Sequence, residues 1–194
     1  PRSPRLPRLP TLGGSEYLAT IHGIVAGKPP IVDFELERRV QEACRHGIRQ
    51  GWLNSAHDLA EGGLAVALAE CCISGQLGAE IRLQKSDFLC LTAGYRQRNR
   101  FAERRLDEAL FGETASNIVV SVKPECRGEW EAYLKGKLDN RWQELGKVTS
   151  DRANLQISML SGDDNSDDRL LIDVTISNIQ ERWATAIERR LTKI

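Results

Sequence analysis

The stretch NSAHDLAEGGLAVALAE, residues 54–70, carries the strongest structural signal in the chain. Polar side chains run into the paired glycines Gly62 and Gly63, and small and apolar residues then follow at helical spacing. This pattern predicts a helix over residues 61–74, and its alanines allow close packing against a sheet. The face predicted to be buried carries Leu64, Leu68 and Cys72.

The same stretch also has the features of an anion-binding site. Glycines at a helix start let a ligand approach the backbone, and the exposed N–H groups there attract anions such as phosphate. His57 and Asp58 lie just before this point. In the structural alternative, Asp58 caps the helix, His57 fills a polar niche and the glycines serve tight packing. The residues alone leave both interpretations open.

An amphipathic helix is predicted upstream of this stretch, because Asp33 is placed to cap a helix and Gly51 to end it. Its apolar positions, Leu36, Val40, Cys44 and Ile48, recur at every fourth residue. Downstream, a short helix is predicted over residues 103–110, and a longer helix follows Pro124. The longer helix carries Trp130, Leu134 and Leu138 on one face.

The C-terminal segment is predicted to form one packed helix. Ser177 and Gln180 form a capping-box pattern at its start. Ile179, Trp183, Ile187 and Leu191 then recur at helical spacing.

Four strands are predicted between these helices. The run 117–123 is rich in β-branched residues and predicts a buried strand, while residues 79–83 alternate more weakly. Residues 155–160 and 170–176 are predicted to form a hairpin with a long polar loop. Helices interleaved with four or five short strands indicate an α/β (α+β) fold, a mixed β-sheet flanked by helices.

Composition excludes several classes of protein. Lysine plus arginine and aspartate plus glutamate both number 27 in 194 residues, so net charge favours neither nucleic acid nor an anionic membrane. No apolar run approaches a membrane span, and the N-terminus has no signal-peptide core. The five cysteines include no C-x-x-C pair, which fits reduced thiols. We therefore expect a cytoplasmic protein.

The first residues differ from the rest of the chain. Residues 1–11 are dense in proline and arginine, which predicts an extended linker, with a disordered tail as the alternative. A folded domain is expected over residues 12–194. Asp163, Asn165 and Asp167 mimic the opening of a calcium loop, but Asp168 and Val174 stand where that loop needs glycine and glutamate, so a calcium site is rejected.

Three segments together resemble a known family. They are LGGSEYL at residues 12–18, HDLAEGGLAVALAE at residues 57–70 and LFGETASNIVVSV at residues 110–122. In order and spacing they are similar to the last domain of phosphoribosylformylglycinamidine synthase. The resemblance covers nearly the whole chain from Leu12 onward. It implies the C-terminal lobe fold shared with aminoimidazole ribonucleotide (AIR) synthetase and selenophosphate synthetase.

The resemblance also implies an activity. Enzymes of this family use ATP, Mg²⁺ and glutamine-derived ammonia to convert formylglycinamide ribonucleotide into its amidine, and release ADP, phosphate and glutamate. Their catalytic and metal-binding residues belong to N-terminal lobes, so we expect no catalytic residue and no metal ligand in this chain, which alone should be inactive. The implied partners are those N-terminal lobes, a glutaminase subunit or domain and a small-molecule nucleotide substrate.

The candidate nucleotide-binding or substrate-binding residues come from the three matching segments. Thr114 and Ala115 replace a polar pair of the family pattern and Asn117 replaces an arginine, which removes a possible phosphate clamp. For Ser15 the alternative is a plain helix cap, and for Glu113 it is a structural loop partner. The candidates are Gly14, Ser15, His57, Asp58, Gly62, Gly63, Glu113 and Ser116.

Three functions stay open on sequence alone. The chain is a lobe of the synthase, a structural or regulatory docking module of the same fold, or part of another enzyme of the AIR synthetase superfamily. The motifs LGGSEYL and HDLAEGGLAVALAE disfavour the last of these.

Overall fold

The computed structural model describes residues 12–84, 106–160 and 168–192. The helices in these ranges are α1 (Glu16–His22), α2 (Phe34–Arg49), α3 (Gly63–Gly75), α4 (Leu106–Phe111), α5 (Arg127–Leu138), α6 (Ile176–Ala184) and α7 (Ala186–Leu191), with a 3₁₀ turn at Pro124–Cys126. The strands are β1 (Leu53–Asp58), β2 (Gly78–Gln84), β3 (Ile118–Val122), β4 (Gly146–Thr149), β5 (Asn154–Leu160) and β6 (Arg169–Thr175).

The chain divides into two compact units. The first contains Pro1–Ala67 and Ser86–Gln143, and the second contains Leu68–Lys85 and Glu144–Ile194. The division falls inside α3, so that helix contributes residues to both units.

The first unit contains a two-stranded sheet. Strands β1 and β3 pair antiparallel, from Leu53 opposite Val122 to Asp58 opposite Ile118. The strand predicted over residues 117–123 is confirmed, but it is half-buried along its length rather than buried, because β1 is its one partner among the described residues. Strand β1 was not predicted. Its polar residues gave no β-branched run to indicate a strand.

Helices α2 and α5 form the core of the first unit. Ala43 packs with Trp130, Leu134 and Leu138, so the predicted face of α5 is confirmed. Gly47 is needed for this contact, because a Cβ there would lie 2.7 Å from the Trp130 ring.

The predicted helix α2 is confirmed in its ends and corrected in its face. Asp33 caps it by accepting from the N–H groups of Glu35 and Leu36, each at 3.1 Å. Its buried residues are Ala43 and Gly47, whereas Ile48, which was placed on the apolar face, is 54% exposed. The contact with the Trp130 ring selects small residues, which a hydrophobic pattern does not detect.

The second unit contains a four-stranded mixed sheet in the order β4-β2-β5-β6. Strands β2 and β5 are parallel, and the other two pairings are antiparallel. The mixed sheet predicted from sequence is therefore confirmed. Its best-buried side chains lie on the two central strands, where Leu83 and Ile157 are 0% exposed and Leu155 is 2% exposed.

The end of the second unit differs from its prediction. The pairing of β5 with β6 confirms the hairpin, but β4 was not predicted. Thr175 caps α6 by accepting from the Asn178 N–H at 3.3 Å, so the capping box at Ser177 is wrong. The helical segment is interrupted at Thr185, and its apolar positions Trp183, Ile187 and Leu191 are exposed by 61%, 76% and 65%.

Several predictions fall partly or wholly outside the described residues. These are the linker at residues 1–11, the first part of the helix predicted over 103–110, the loop with Asp163, Asn165 and Asp167, and Cys90. Four cysteines are described, and all four are free thiols. Burial raises the pKa of Cys72 to about 11, which makes its thiol unreactive at neutral pH.

None of the described helices combines the length and the apolar character that crossing a bilayer demands.

The central strands provide a direct test of the second unit's core. Replacing Ile157 by alanine is expected to lower the free energy of unfolding by about 2–5 kcal/mol, because the side chain is fully buried and leaves a cavity. Ile187→Ala is the matched control, since Ile187 is 76% exposed, and it should change stability by less than about 0.5 kcal/mol. Urea denaturation measures both. Similar losses in the two variants would contradict the assignment of β5 to the core.

Candidate functional site

The three sequence motifs meet at the carboxylate of Glu113. Its Oε1 atom accepts a hydrogen bond from the backbone N–H of Glu16 at 2.8 Å and another from the N–H of Gly62 at 2.8 Å. These donors lie 97 and 51 residues away along the chain. One side chain therefore joins the start of α1 to the turn before α3.

The start of α1 is fixed by local hydrogen bonds as well. Ser15 is 3% exposed, and its hydroxyl accepts from the Leu18 N–H at 3.4 Å and donates to the Leu12 carbonyl at 2.7 Å. Gly14, at φ 76°, donates its N–H to Ala26 at 2.9 Å. The helix-cap interpretation of Ser15 is confirmed.

The paired glycines allow a close approach of two backbone segments. Gly63 begins α3 at φ 64°, and a Cβ there would lie 2.8 Å from the Gly112 carbonyl oxygen and 3.0 Å from that of Leu110. The N–H of Gly62 is already bound to Glu113. The geometry thus favours the structural explanation of the glycine pair, and a carboxylate takes the place that an anionic ligand would occupy.

His57 and Asp58 lie on strand β1 rather than at the helix start. They pair with Val119 and Ile118 across the two-stranded sheet, and His57 Nδ1 lies 2.7 Å from the Asp58 carbonyl oxygen. The interpretation of Asp58 as a helix cap is wrong, because α3 begins only at Gly63. Residues 59–62 separate the end of β1 from the start of α3.

The loop over residues 113–117 is held by its own polar side chains. Asn117 Nδ2 donates to the Thr114 hydroxyl at 2.7 Å and to the Ala115 carbonyl at 3.1 Å. The backbone carbonyl of Asn117 accepts from the Leu59 N–H at 3.0 Å. Asn117 therefore holds the loop through its hydrogen bonds to Thr114 and Ala115.

The same loop is tied to α2 through Ser116. The Ser116 backbone is left-handed at φ 65°, and its hydroxyl donates to Glu37 Oε2 at 2.7 Å. This hydrogen bond, followed by the one from Gln41, lowers the pKa of the Glu37 carboxyl. The sequence did not single out Glu37, because its partner is 79 residues away and no local pattern predicts that contact.

An aromatic pair adds packing between α1 and α4. The rings of Tyr17 and Phe111 stack with centroids 4.6 Å apart and planes 9° apart. Phe111 directly precedes Gly112, so the stack holds the segment that carries Glu113. Among the residues that the structure describes, no three His, Cys, Asp or Glu side chains group as metal ligands.

Comparison with known proteins agrees with this combination of motifs and fold. The family described as AIR synthase related protein, C-terminal domain, matches residues 6–157. The chain belongs to this family. The resemblance carried by the three motifs is thereby confirmed, and the mixed α/β fold is that of an AIR-synthase-related C-terminal domain.

The relatives of this AIR-synthase-related domain are much longer proteins. Subunit PurL of phosphoribosylformylglycinamidine synthase from Synechocystis is 52% identical over 181 residues, which are 93% of this chain and 21% of that protein. The fold is similar to Thermotoga maritima PurL complexed with ADP, at a TM-score of 0.56 and 17% identity over 86% of this chain and 23% of the other. For T. maritima PurL complexed with FGAR the TM-score is 0.54 at 18% identity, over 77% of this chain and 21% of the other. The chain spans about one fifth of the length of the curated relative.

Replacing Gly63 by alanine is expected to destabilise the chain more than Gly14→Ala does. Both backbones are left-handed, at φ 64° and 76°, so both variants add similar backbone strain. Only the Cβ at Gly63 would meet backbone atoms, since nothing lies within 4 Å at Gly14. We expect an additional loss of at least about 1 kcal/mol for Gly63→Ala in urea denaturation. Equal losses would show that the approach of Gly112 imposes no constraint.

Stability is expected to depend on pH through Glu37. The pKa of Glu37 is lowered in the folded state. Its contribution to the free energy of unfolding is therefore complete above the pKa that Glu37 has in the unfolded chain, and it is lost as the pH falls through the pKa of the folded state. Glu37→Gln should therefore flatten the acid decline of the free energy of unfolding, measured by denaturation across the acidic range. Ser116→Ala should flatten it too, and the double variant should add little. Independent, additive effects would contradict the Ser116–Glu37 contact.

Proposed function

We propose that this chain is a C-terminal lobe of a phosphoribosylformylglycinamidine synthase of the PurL type. The observation that carries the proposal is the 52% identity with the Synechocystis subunit over 93% of the chain. The proposed reaction is the ATP-dependent amidation of formylglycinamide ribonucleotide with glutamine-derived ammonia, a carbon–nitrogen ligase step of purine biosynthesis in the cytoplasm. The proposed lobe begins at Leu12, after a linker over residues 1–11.

Within that enzyme, the lobe is proposed to frame a nucleotide or substrate cleft. Support comes from the convergence of the starts of α1 and α3 on the Glu113 loop. Solved relatives of the same fold are complexed with ADP and with FGAR. The proposed cleft residues are Gly14, Ser15, His57, Asp58, Gly62, Gly63, Glu113 and Ser116.

The catalytic chemistry is assigned to other parts of the enzyme. Activation of an amide oxygen by ATP requires carboxylates that hold Mg²⁺ and donors that bind the triphosphate. In the described ranges no three potential metal ligands converge, and the Gly62 N–H is bound to Glu113, so these residues do not fit a complete ATP–Mg²⁺ site. The N-terminal lobes and a glutaminase are the proposed partners, with no nucleic acid or membrane involved. The isolated chain should have no activity.

A structural docking module of the same fold is the second candidate. Its support is the internal use of the site groups, since Glu113 bonds to two backbone N–H groups and Ser116 to Glu37. In that case the lobe stabilises its neighbours without contacting a ligand.

A chimeric enzyme separates these functions. The corresponding segment of the Synechocystis PurL subunit is replaced by residues 12–192 of this chain, and ADP release is measured with formylglycinamide ribonucleotide, ATP and ammonia. We expect release that depends on all three substrates in the chimera, and none from the 194-residue chain alone.

Two controls make the result interpretable. The unmodified subunit defines full activity, and a subunit that lacks the segment defines the background. The 194-residue chain is also added in trans to this truncated subunit. A folded chimera that releases no ADP, together with no recovery in trans, would reject the synthase assignment. A chimera in which substitutions at the cleft residues leave every kinetic constant unchanged would favour the docking module.

A further inference from the structure

We propose that Glu113 is a positioning residue, which fixes the start of α1 against the turn before α3 and acts on a ligand only through these two backbone segments. This inference rests on the proposed function for its consequence in catalysis. Its structural part concerns this chain alone.

The first argument is the geometry of the carboxylate. A single oxygen, Oε1, accepts both backbone N–H groups at 2.8 Å, a distance typical of strong charge-assisted hydrogen bonds. The donors, Glu16 and Gly62, belong to elements that are far apart along the chain. Displacement of the carboxylate would therefore remove one hydrogen bond from each element at the same time.

The second argument is electrostatic. The N-terminal end of an α-helix attracts negative charge, and Glu113 already supplies that charge at the turn before α3. A phosphate brought to the Gly62 N–H would meet a carboxylate of the same sign and would have to displace it. Direct ligand contact by the Glu113 oxygen is therefore less favourable than a role in holding the turn.

The third argument is that the loop carrying Glu113 is itself fixed from several sides. Ser116 is bonded to Glu37 at 2.7 Å, and Phe111 stacks on Tyr17. The carbonyl of Gly112 lies so close to Gly63 that only glycine fits there. A group whose support is rigid is suited to position other groups with precision.

The first test uses the 194-residue chain and two substitutions. Glu113→Gln keeps an oxygen that accepts hydrogen bonds and removes the charge, whereas Glu113→Ala removes the acceptor. Amide hydrogen exchange at Glu16 and Gly62 should accelerate at least about tenfold in Glu113→Ala and less than about threefold in Glu113→Gln. The amides of Ile81 and Ile157 in the second unit serve as internal controls and should not change.

The second test measures catalysis in the chimeric enzyme. The turn before α3 belongs to the proposed cleft, and its misplacement removes binding energy that ground state and transition state share. Glu113→Ala should therefore raise KM for a phosphorylated substrate at least about fivefold and leave kcat within about twofold. Glu113→Gln should restore KM to near the unsubstituted value. The proposed function itself fails if the unsubstituted chimera is inactive, and the exchange test then still decides whether Glu113 holds the two segments.

Three outcomes would overturn the positioning role. Unchanged exchange at Glu16 and Gly62 in Glu113→Ala would show that the carboxylate holds neither segment. Faster exchange throughout the chain, including Ile157, would indicate a general contribution to stability. A Gln variant that keeps slow exchange at Glu16 and Gly62 and is still as impaired in KM as the Ala variant would show that the charge itself acts on the ligand.

Discussion

The first unit depends on one shared acceptor. A carboxylate oxygen that binds two backbone N–H groups satisfies donors that helix starts and tight turns leave unpaired, and it joins segments that no backbone ladder connects. The flanking contacts follow from this constraint: Gly63 must be glycine for the Gly112 backbone to approach, and the Tyr17–Phe111 stack brings α1 against the segment that precedes Glu113. Glu113 thus joins residues of all three motifs.

This arrangement changes the meaning of the paired glycines. A glycine-rich helix start indicates anion binding when its N–H groups are free, but the Gly62 N–H is occupied by a carboxylate of the same chain. The departures from the family pattern agree with that change. Asn117 donates to Thr114 and Ala115, so this position holds the loop by internal hydrogen bonds.

The sequence predicted what local patterns encode. Periodicity and caps gave α2, α3, α5 and the central strands β2 and β5, and the motifs gave the family. Long-range contacts account for the errors. The buried face of α2 is set by the Trp130 ring against Gly47, and Glu37 gains its role from Ser116, which is 79 residues away. Strand β1 was not predicted, because its exposed polar residues carry no strand periodicity.

The eight candidate residues stay a prediction as a binding site, and the structure adds the contacts that each of them makes. All eight candidate residues lie in the first unit, yet His57 and Asp58 extend along β1 while Ser15 is buried as a cap. Glu113, Ser116 and Asn117 bond to groups of the same chain, which fixes the turns around them. The proposed role as one lobe of a longer enzyme depends on fixed turns of this kind, because binding geometry must be set before reacting groups act. The bonds that hold the Glu113 loop therefore suit this domain to that proposed role.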